Sequence, residues 1–156
     1  MSRPSPVVWA VVKERDEQRC VTCGRRSGLQ FQHRNAVGMG GSKRKPMHAE
    51  GVTSCWLCNP EYEHTLQTVA LVYGWKVKGV KRAVEHPELV PVFYALEGTW
   101  FELTTRGTRI RISHADAAAR MRDVYGPEWD EWVTLAGLRL MPNSVTTKVA
   151  TEMEWW

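Results

Sequence analysis

Four cysteines carry the clearest chemistry in the chain: Cys20-x-x-Cys23 and Cys55-x-x-Cys58, with 31 residues between the pairs. Two thiolates three positions apart can point inward from one tight turn. Two such turns complete the tetrahedral four-sulfur shell that Zn2+ accepts. Two disulfides or four unrelated thiols are the alternatives, but a reducing interior disfavours the first and the repeated spacing the second. The pattern therefore predicts a closed structural zinc site that supplies much of the folding free energy of residues 15–65. Zinc by itself identifies no activity.

The residues between the pairs add a reactive set. In Leu29-Gln30-Phe31-Gln32-His33-Arg34 the apolar residues alternate, which predicts a short strand with one buried face and His33 at its end. A neutral imidazole can take a proton from water at cellular pH, so His33 is the candidate general base. A phosphate-binding His/Arg pair or a structural histidine at a strand end reads the same residues without catalysis. Gly38, Gly40 and Gly41 let a backbone turn close to a phosphate, and Lys43, Arg44 and Lys45 add positive charge beside them. Val52-Thr53-Ser54 can form the returning strand, and Cys58 leads into a helix.

With these residues in view, the arrangement RDEQRCVTCG … LQFQHRNAVGMGGSKRK … VTSCWLCN resembles the zinc-containing HNH endonucleases, in the form found in small bacterial and actinobacteriophage proteins. The likeness covers about residues 13–67, with weaker similarity through residue 102. It implies an α+β fold with a zinc-stabilised ββα-metal (HNH, His-Me finger) core. It also implies that His33 activates water, that Arg34 holds a phosphate, and that Mg2+ or Mn2+ serves as a separate catalytic ion. Gln32 stands where family members often carry a metal ligand, and Glu50 where the central asparagine usually lies. Asn59, directly after Cys58, matches the closing metal ligand of asparagine-ending variants; a helix cap before Pro60 is the other reading. Glu63 falls four residues later on the same helix face, where it either coordinates or orients the ion or is a solvated surface acid. His64 and His48 read as exposed polar residues.

The elements that position these residues follow from local signals. Ser5-Pro6 starts a helix whose Val7, Val8, Val11 and Val12 share a face. Tyr62, Leu66, Val69, Ala70 and Tyr73 recur at helical spacing and predict one helix over 60–73, ended by Gly74. Trp75-Lys76-Val77-Lys78 alternates as a short strand, and Lys76, Lys78, Lys81 and Arg82 form a second basic patch. Val92–Leu96 and Thr99–Leu103 flank the turn Glu97-Gly98, Thr108–Ile112 adds a third strand, and Trp100 is more at home in a core than on a base. Helices over 114–125 and 128–136 are separated by Gly126-Pro127. The resulting division is an HNH zinc domain over 1–74, an extension with a small antiparallel sheet and helices over 75–141, and a tail over 142–156 ending in two tryptophans.

Composition bounds the function. The chain has 156 residues, 43% hydrophobic and 24% charged, with no run long enough to span a bilayer and no secretory pattern at its start, so it is expected in the cytoplasm. Net charge is +4, and its distribution is uneven: residues 1–60 carry +6, 61–112 carry +1 and 113–156 carry −3. A basic N-terminal part suits a polyanion. The leading expectation is an HNH endonuclease that hydrolyses DNA phosphodiester bonds, with His33, Asn59 and Glu50 at the active site and Arg34, Lys43, Arg44 and Lys45 on DNA. Its rival is a degenerate HNH-like zinc module that binds DNA or a protein without cleavage. A homodimer and a phage packaging partner both stay open.

Overall fold

The computed structural model of the chain describes residues 2–35 and 44–138. Helix α1 (Pro6–Arg15) begins as its sequence predicts, with Pro6 in the first turn and the Ser5 hydroxyl accepting from the Val8 amide at 3.2 Å. Its buried stripe is Val8, Val12 and Arg15, whereas Val7 is 71% exposed, so the valine face is narrower than the spacing suggests. Strands β1 (Leu29–His33) and β2 (Gly51–Cys55) form an antiparallel two-stranded ribbon in which Leu29 pairs with Cys55 and His33 with Gly51. A 3-10 turn over His48–Glu50 leads into β2.

The helix expected over 60–73 is broken in two, α2 (Cys58–Glu61) and α3 (Gln67–Val72). Between them the Leu66 amide reaches back five residues to the Glu61 carbonyl at 2.8 Å. Tyr62, fully buried, shares a 2.5 Å hydrogen bond with the Thr22 hydroxyl. That bond ties the end of α2 to the first cysteine turn. The strand expected over 75–78 is reduced to one parallel bridge, Asn35 with Val77. Beyond it lie α4 (Lys81–Glu85), the antiparallel sheet β3 (Val92–Tyr94), β4 (Thr99–Leu103) and β5 (Arg109–Ile112), and the helices α5 (His114–Tyr125) and α6 (Pro127–Leu135). The fold is therefore mixed α+β with two small antiparallel sheets. None of the described helices is long and apolar enough to cross a membrane.

One apolar cluster runs from Cys20 to Leu138, so the segments on either side of Gly74 share a core. Trp75, Trp100 and Trp129 are its largest members, each within 2% of full burial, and the Trp75 and Trp129 indoles donate to the carbonyls of Phe93 and Val72. Two buried polar networks cross that core. In the first, Arg15 and Asp16 form a bidentate ion pair at 2.8 and 3.0 Å. Asp16 also accepts from the Thr53 amide and the Tyr94 hydroxyl, while Arg15 donates to the carbonyls of His48 and Gly51.

The second network is Arg34, whose side chain is fully buried without a carboxylate partner. Its Nε donates to the Gly74 carbonyl at 2.8 Å, Nη1 to Ala49 and Pro87 at 2.8 and 3.0 Å, and Nη2 to Val90 at 2.6 Å. The phosphate contact expected of Arg34 is thereby corrected: four of its five N–H groups are occupied by backbone carbonyls, and none of the side chain reaches solvent. Burial pushes its pKa down to about 10, which still leaves it charged at neutral pH. Arg34→Met should lower unfolding free energy by at least about 3 kcal/mol, because several carbonyls lose a charged donor at about 1–3 kcal/mol each. Arg34→Lys, without the planar fork, should recover less than half of that loss in urea titrations of zinc-loaded protein.

Candidate metal centre and the His33 end of the ribbon

The two cysteine turns meet at one end of the ribbon. In the first, the Gly24 amide bonds the Cys20 carbonyl at 2.9 Å and the Cys20 amide bonds the Arg25 carbonyl at 2.9 Å. In the second, the Trp56 amide bonds the Gly28 carbonyl at 2.9 Å, so the step from β2 into α2 is tied to the start of β1. The four sulfurs lie within 4.8 Å of one another, and Cys20, Cys55 and Cys58 are buried. Cys23 and Cys55 are 3.7 Å apart, close to the edge of about 3.8 Å that a tetrahedron of Zn–S bonds near 2.3 Å requires. Four converging thiols with no second donor type fit Zn2+, and this group can hold a metal ion such as zinc. Hydrogen bonding from Cys20 and its neighbours lowers Cys23 to about 7 and lowers Cys55 as well, while burial raises Cys20. Cys58 is pushed up by its cysteine neighbours, so the four thiols share their protons as one group, and a bound cation is what would hold all four as thiolates.

At the other end of the ribbon His33 is half-buried. Its imidazole stands 5.0 Å from the Phe31 ring, and Phe31 meets Trp9 of α1 at 5.9 Å, both edge to face. The Phe31 ring lies on Gly51, where a Cβ atom would come within 2.0 Å of it, so only glycine admits this packing. Neither ring nitrogen of His33 has a hydrogen-bond partner among the described residues. Burial pushes the imidazole below its usual pKa, opposed by the nearby Glu50 carboxylate. The Glu50 backbone carbonyl accepts from the Arg34 amide at 2.9 Å, which sets Glu50 beside the end of β1.

The remaining expected ligands do not converge on His33. Glu50 forms an ion pair with Arg44 and accepts from the Met47 amide at 2.5 Å. Asn59 donates to the Gln30 side chain at 2.8 Å, three residues back along β1. Gln32 is buried and donates to the His33 carbonyl. Glu63, mostly exposed, is ion-paired with Lys76 at 2.6 Å. His48 contacts the Thr105 carbonyl, and His64 is exposed. Among the described residues the four cysteines are the single group of three or more metal-ligating side chains. Asn59 and Glu63 therefore do not build the expected shell for a hard cation, each being bonded to a different neighbour.

The basic residues also sort themselves. Lys45 is exposed, Arg44 is tied to Glu50, and Lys43 with the glycine cluster at 38–41 lies outside the described residues, as does the tail from 139. The second basic patch is corrected: Lys76 pairs with Glu63, Lys78 with Glu128, Lys81 with Glu85 and Arg82 with Asp123, so these cations face carboxylates of the same chain. Beside Glu50 a cleft of about 340 Å3 is rimmed by Arg44, Glu85, His86 and Glu88, a surface too acidic for a phosphate backbone. Sequence reasoning missed the burial of Arg15 and Asp16, since adjacent opposite charges at a helix end are usually solvated. It also passed over Trp56, which is 56% exposed between the cysteines of its turn, whereas Val21 and Thr22 in the other turn are buried.

No family model, curated protein or solved structure matches the chain. The metal centre makes a direct prediction. Protein purified without chelator should carry one zinc per chain, and stripping it, or Cys55→Ser, should unfold the lobe around the ribbon, with a loss on the order of 10 kcal/mol. Metal analysis together with amide hydrogen exchange of β1 and β2 reads both outcomes.

Proposed function

We propose that the chain is an HNH-type endonuclease acting on DNA phosphodiester bonds, with His33 as the general base. The observation that carries this reading is the His33 imidazole: half-exposed, without a hydrogen-bond partner at either nitrogen among the described residues, lowered in pKa by burial, and fixed at the end of a ribbon whose other end is clamped by the cysteine cage. A ribbon followed directly by a short helix after the second cysteine pair supports the same reading. In the proposed reaction His33 takes the proton from water as the oxygen attacks phosphorus. The Phe31 and Gly51 packing keeps the ring from rotating away. The Mg2+ or Mn2+ that the family resemblance implies would stabilise charge on the leaving oxygen, but the described side chains do not converge into a shell for it, and His33 is the one group to which a step is assigned.

The same observations favour a second reading, a zinc-held module that binds nucleic acid or protein without cutting it. Glu50 locked to Arg44, Asn59 to Gln30 and Glu63 to Lys76 are what a degenerate site would look like. Nicking of supercoiled plasmid with Mg2+ or Mn2+ separates the two. The nuclease reading expects wild type to nick and His33→Ala to be at least about 100-fold slower with zinc content unchanged; equal inactivity of both selects the binding module. The pH profile adds a second check. Because His33 must be neutral and its pKa is lowered, the acid limb of the nicking rate should fall below the ordinary histidine value of about 6.5, with the rate flat from there to neutrality.

A further inference from the structure

Charge that counts toward a polyanion must be free of local carboxylates, and the ion pairs above remove the second basic patch. Between Glu17 and Glu50 the sequence holds no acid at all, and within that stretch Arg19, Arg25 and Arg26 have no carboxylate partner among the described residues. Arg19 and Arg26 reach only the backbone carbonyls of Gly24 and Glu17, at 3.3 and 3.4 Å, and Arg25 and Arg26 are exposed. Both exposed arginines come two to three residues before Gly28, within about 7–11 Å along the chain.

Gly28 is where the aromatic partner sits. It adopts φ 63°, and a Cβ there would meet Trp56 Cδ1 at 2.2 Å and Nε1 at 3.0 Å, so the indole lies against bare backbone. Trp56 is nonetheless 56% exposed, whereas Trp75, Trp100 and Trp129 are fully buried. The fold therefore seats one side of this tryptophan on backbone and leaves much of the ring in water, two to three chain positions from Arg25 and Arg26 through Gly28. A large, preorganised ring costs little entropy to stack upon, and each base stacked on such a ring adds affinity whatever its identity.

We infer that Trp56, backed by Gly28 and flanked by Arg25 and Arg26, is a stacking platform for an unpaired nucleobase, with the two arginines taking the neighbouring phosphates. The inference rests on the nucleic-acid part of the proposed function and not on cleavage. It names single-stranded or frayed DNA as the form held at this end of the ribbon, some five residues, or about 17 Å, from His33. A base within a duplex is already stacked on both faces and cannot use the platform.

The test uses the full, zinc-loaded chain and fluorescein-labelled oligothymidine, with a duplex of equal length as control, read by anisotropy at fixed salt. Trp56→Ala should weaken single-strand binding at least tenfold and duplex binding less than threefold, with zinc content and circular dichroism unchanged. Trp56→Phe should stay within threefold of wild type on both. Arg25→Gln with Arg26→Gln should lower the slope of log affinity against log salt by about 1.4 on the single strand. Single-strand affinity of Trp56→Ala equal to wild type overturns the platform, as does an equal loss on both DNA forms. If Trp56→Ala instead abolishes self-association of the chain and leaves DNA affinity alone, the face is a contact between copies and the inference is again overturned. These results leave the nuclease reading standing when wild type still nicks plasmid; wild type that binds neither DNA form and nicks nothing removes that reading and the platform together.

Discussion

A guanidinium buried without a counterion is tolerable only if carbonyl dipoles surround it, and that requirement organises this molecule. Arg34 follows the end of β1 and draws in carbonyls from the turn before β2, from Gly74 after α3, and from Pro87 and Val90 ahead of β3. Of the four carbonyls, that of Pro87 also accepts from the Val90 amide, while those of Ala49, Gly74 and Val90 lie outside helix and sheet ladders, so the cation and the loops satisfy each other. The consequence reaches the candidate site, because His33 is the preceding residue and Glu50 lies beside one of the acceptors. The position of the imidazole is thereby set by the same contact that joins the ribbon to the C-terminal sheet. The Arg15, Asp16 and Tyr94 network makes a parallel link from α1 to β2 and β3.

Charge counting along the sequence gives a misleading picture of the surface. The four cations between 76 and 82 look like a tract for a nucleic-acid backbone, yet each faces a carboxylate, two of them from α5 and α6. Such pairs contribute little to stability at exposed positions, but they cancel the local field. Around the first cysteine turn, by contrast, the acid-free stretch keeps its charge among the described residues. The electrostatic argument for a polyanionic partner thus rests on the basic N-terminal part, and the cations at 76–82 add little to it.

The parts of the fold that could be read from sequence are those governed by a short period or a local cap. The alternation of Leu29, Phe31 and His33 gave β1, Ser5-Pro6 gave the start of α1, Glu97-Gly98 gave the β3–β4 turn, and the paired cysteine spacing gave the metal-binding group. The helix over 60–73 is interrupted after Tyr62, which keeps helical angles, by turns between residues 62 and 66 that no periodicity of apolar residues signals. Arg34 was misread for a related reason: type and neighbourhood suggest a phosphate ligand, while burial depends on carbonyls 15 to 56 positions away along the chain. No window of sequence contains that information. Asn59 and Glu63 do fall after the cysteines on successive turns, but their actual partners, Gln30 and Lys76, come from other elements.

The two ends of the ribbon ask for different metal chemistry, and their separation bears on what the chain can do. Four thiolates bind a borderline-soft ion tightly and leave it no open position, so such an ion orders β1 and β2 but cannot polarise a phosphate. A hard ion able to do so needs oxygen donors, and the carboxylate whose charge acts on His33, that of Glu50, is held by Arg44 and the Met47 amide. The Glu50 side chain is only 12% exposed, so a divalent cation would have to displace both donors to claim the carboxylate. In the proposed nuclease a hard ion beside His33 would have to take the Glu50 carboxylate from Arg44, so the Arg44–Glu50 pair is the contact on which the cutting and the merely binding readings part.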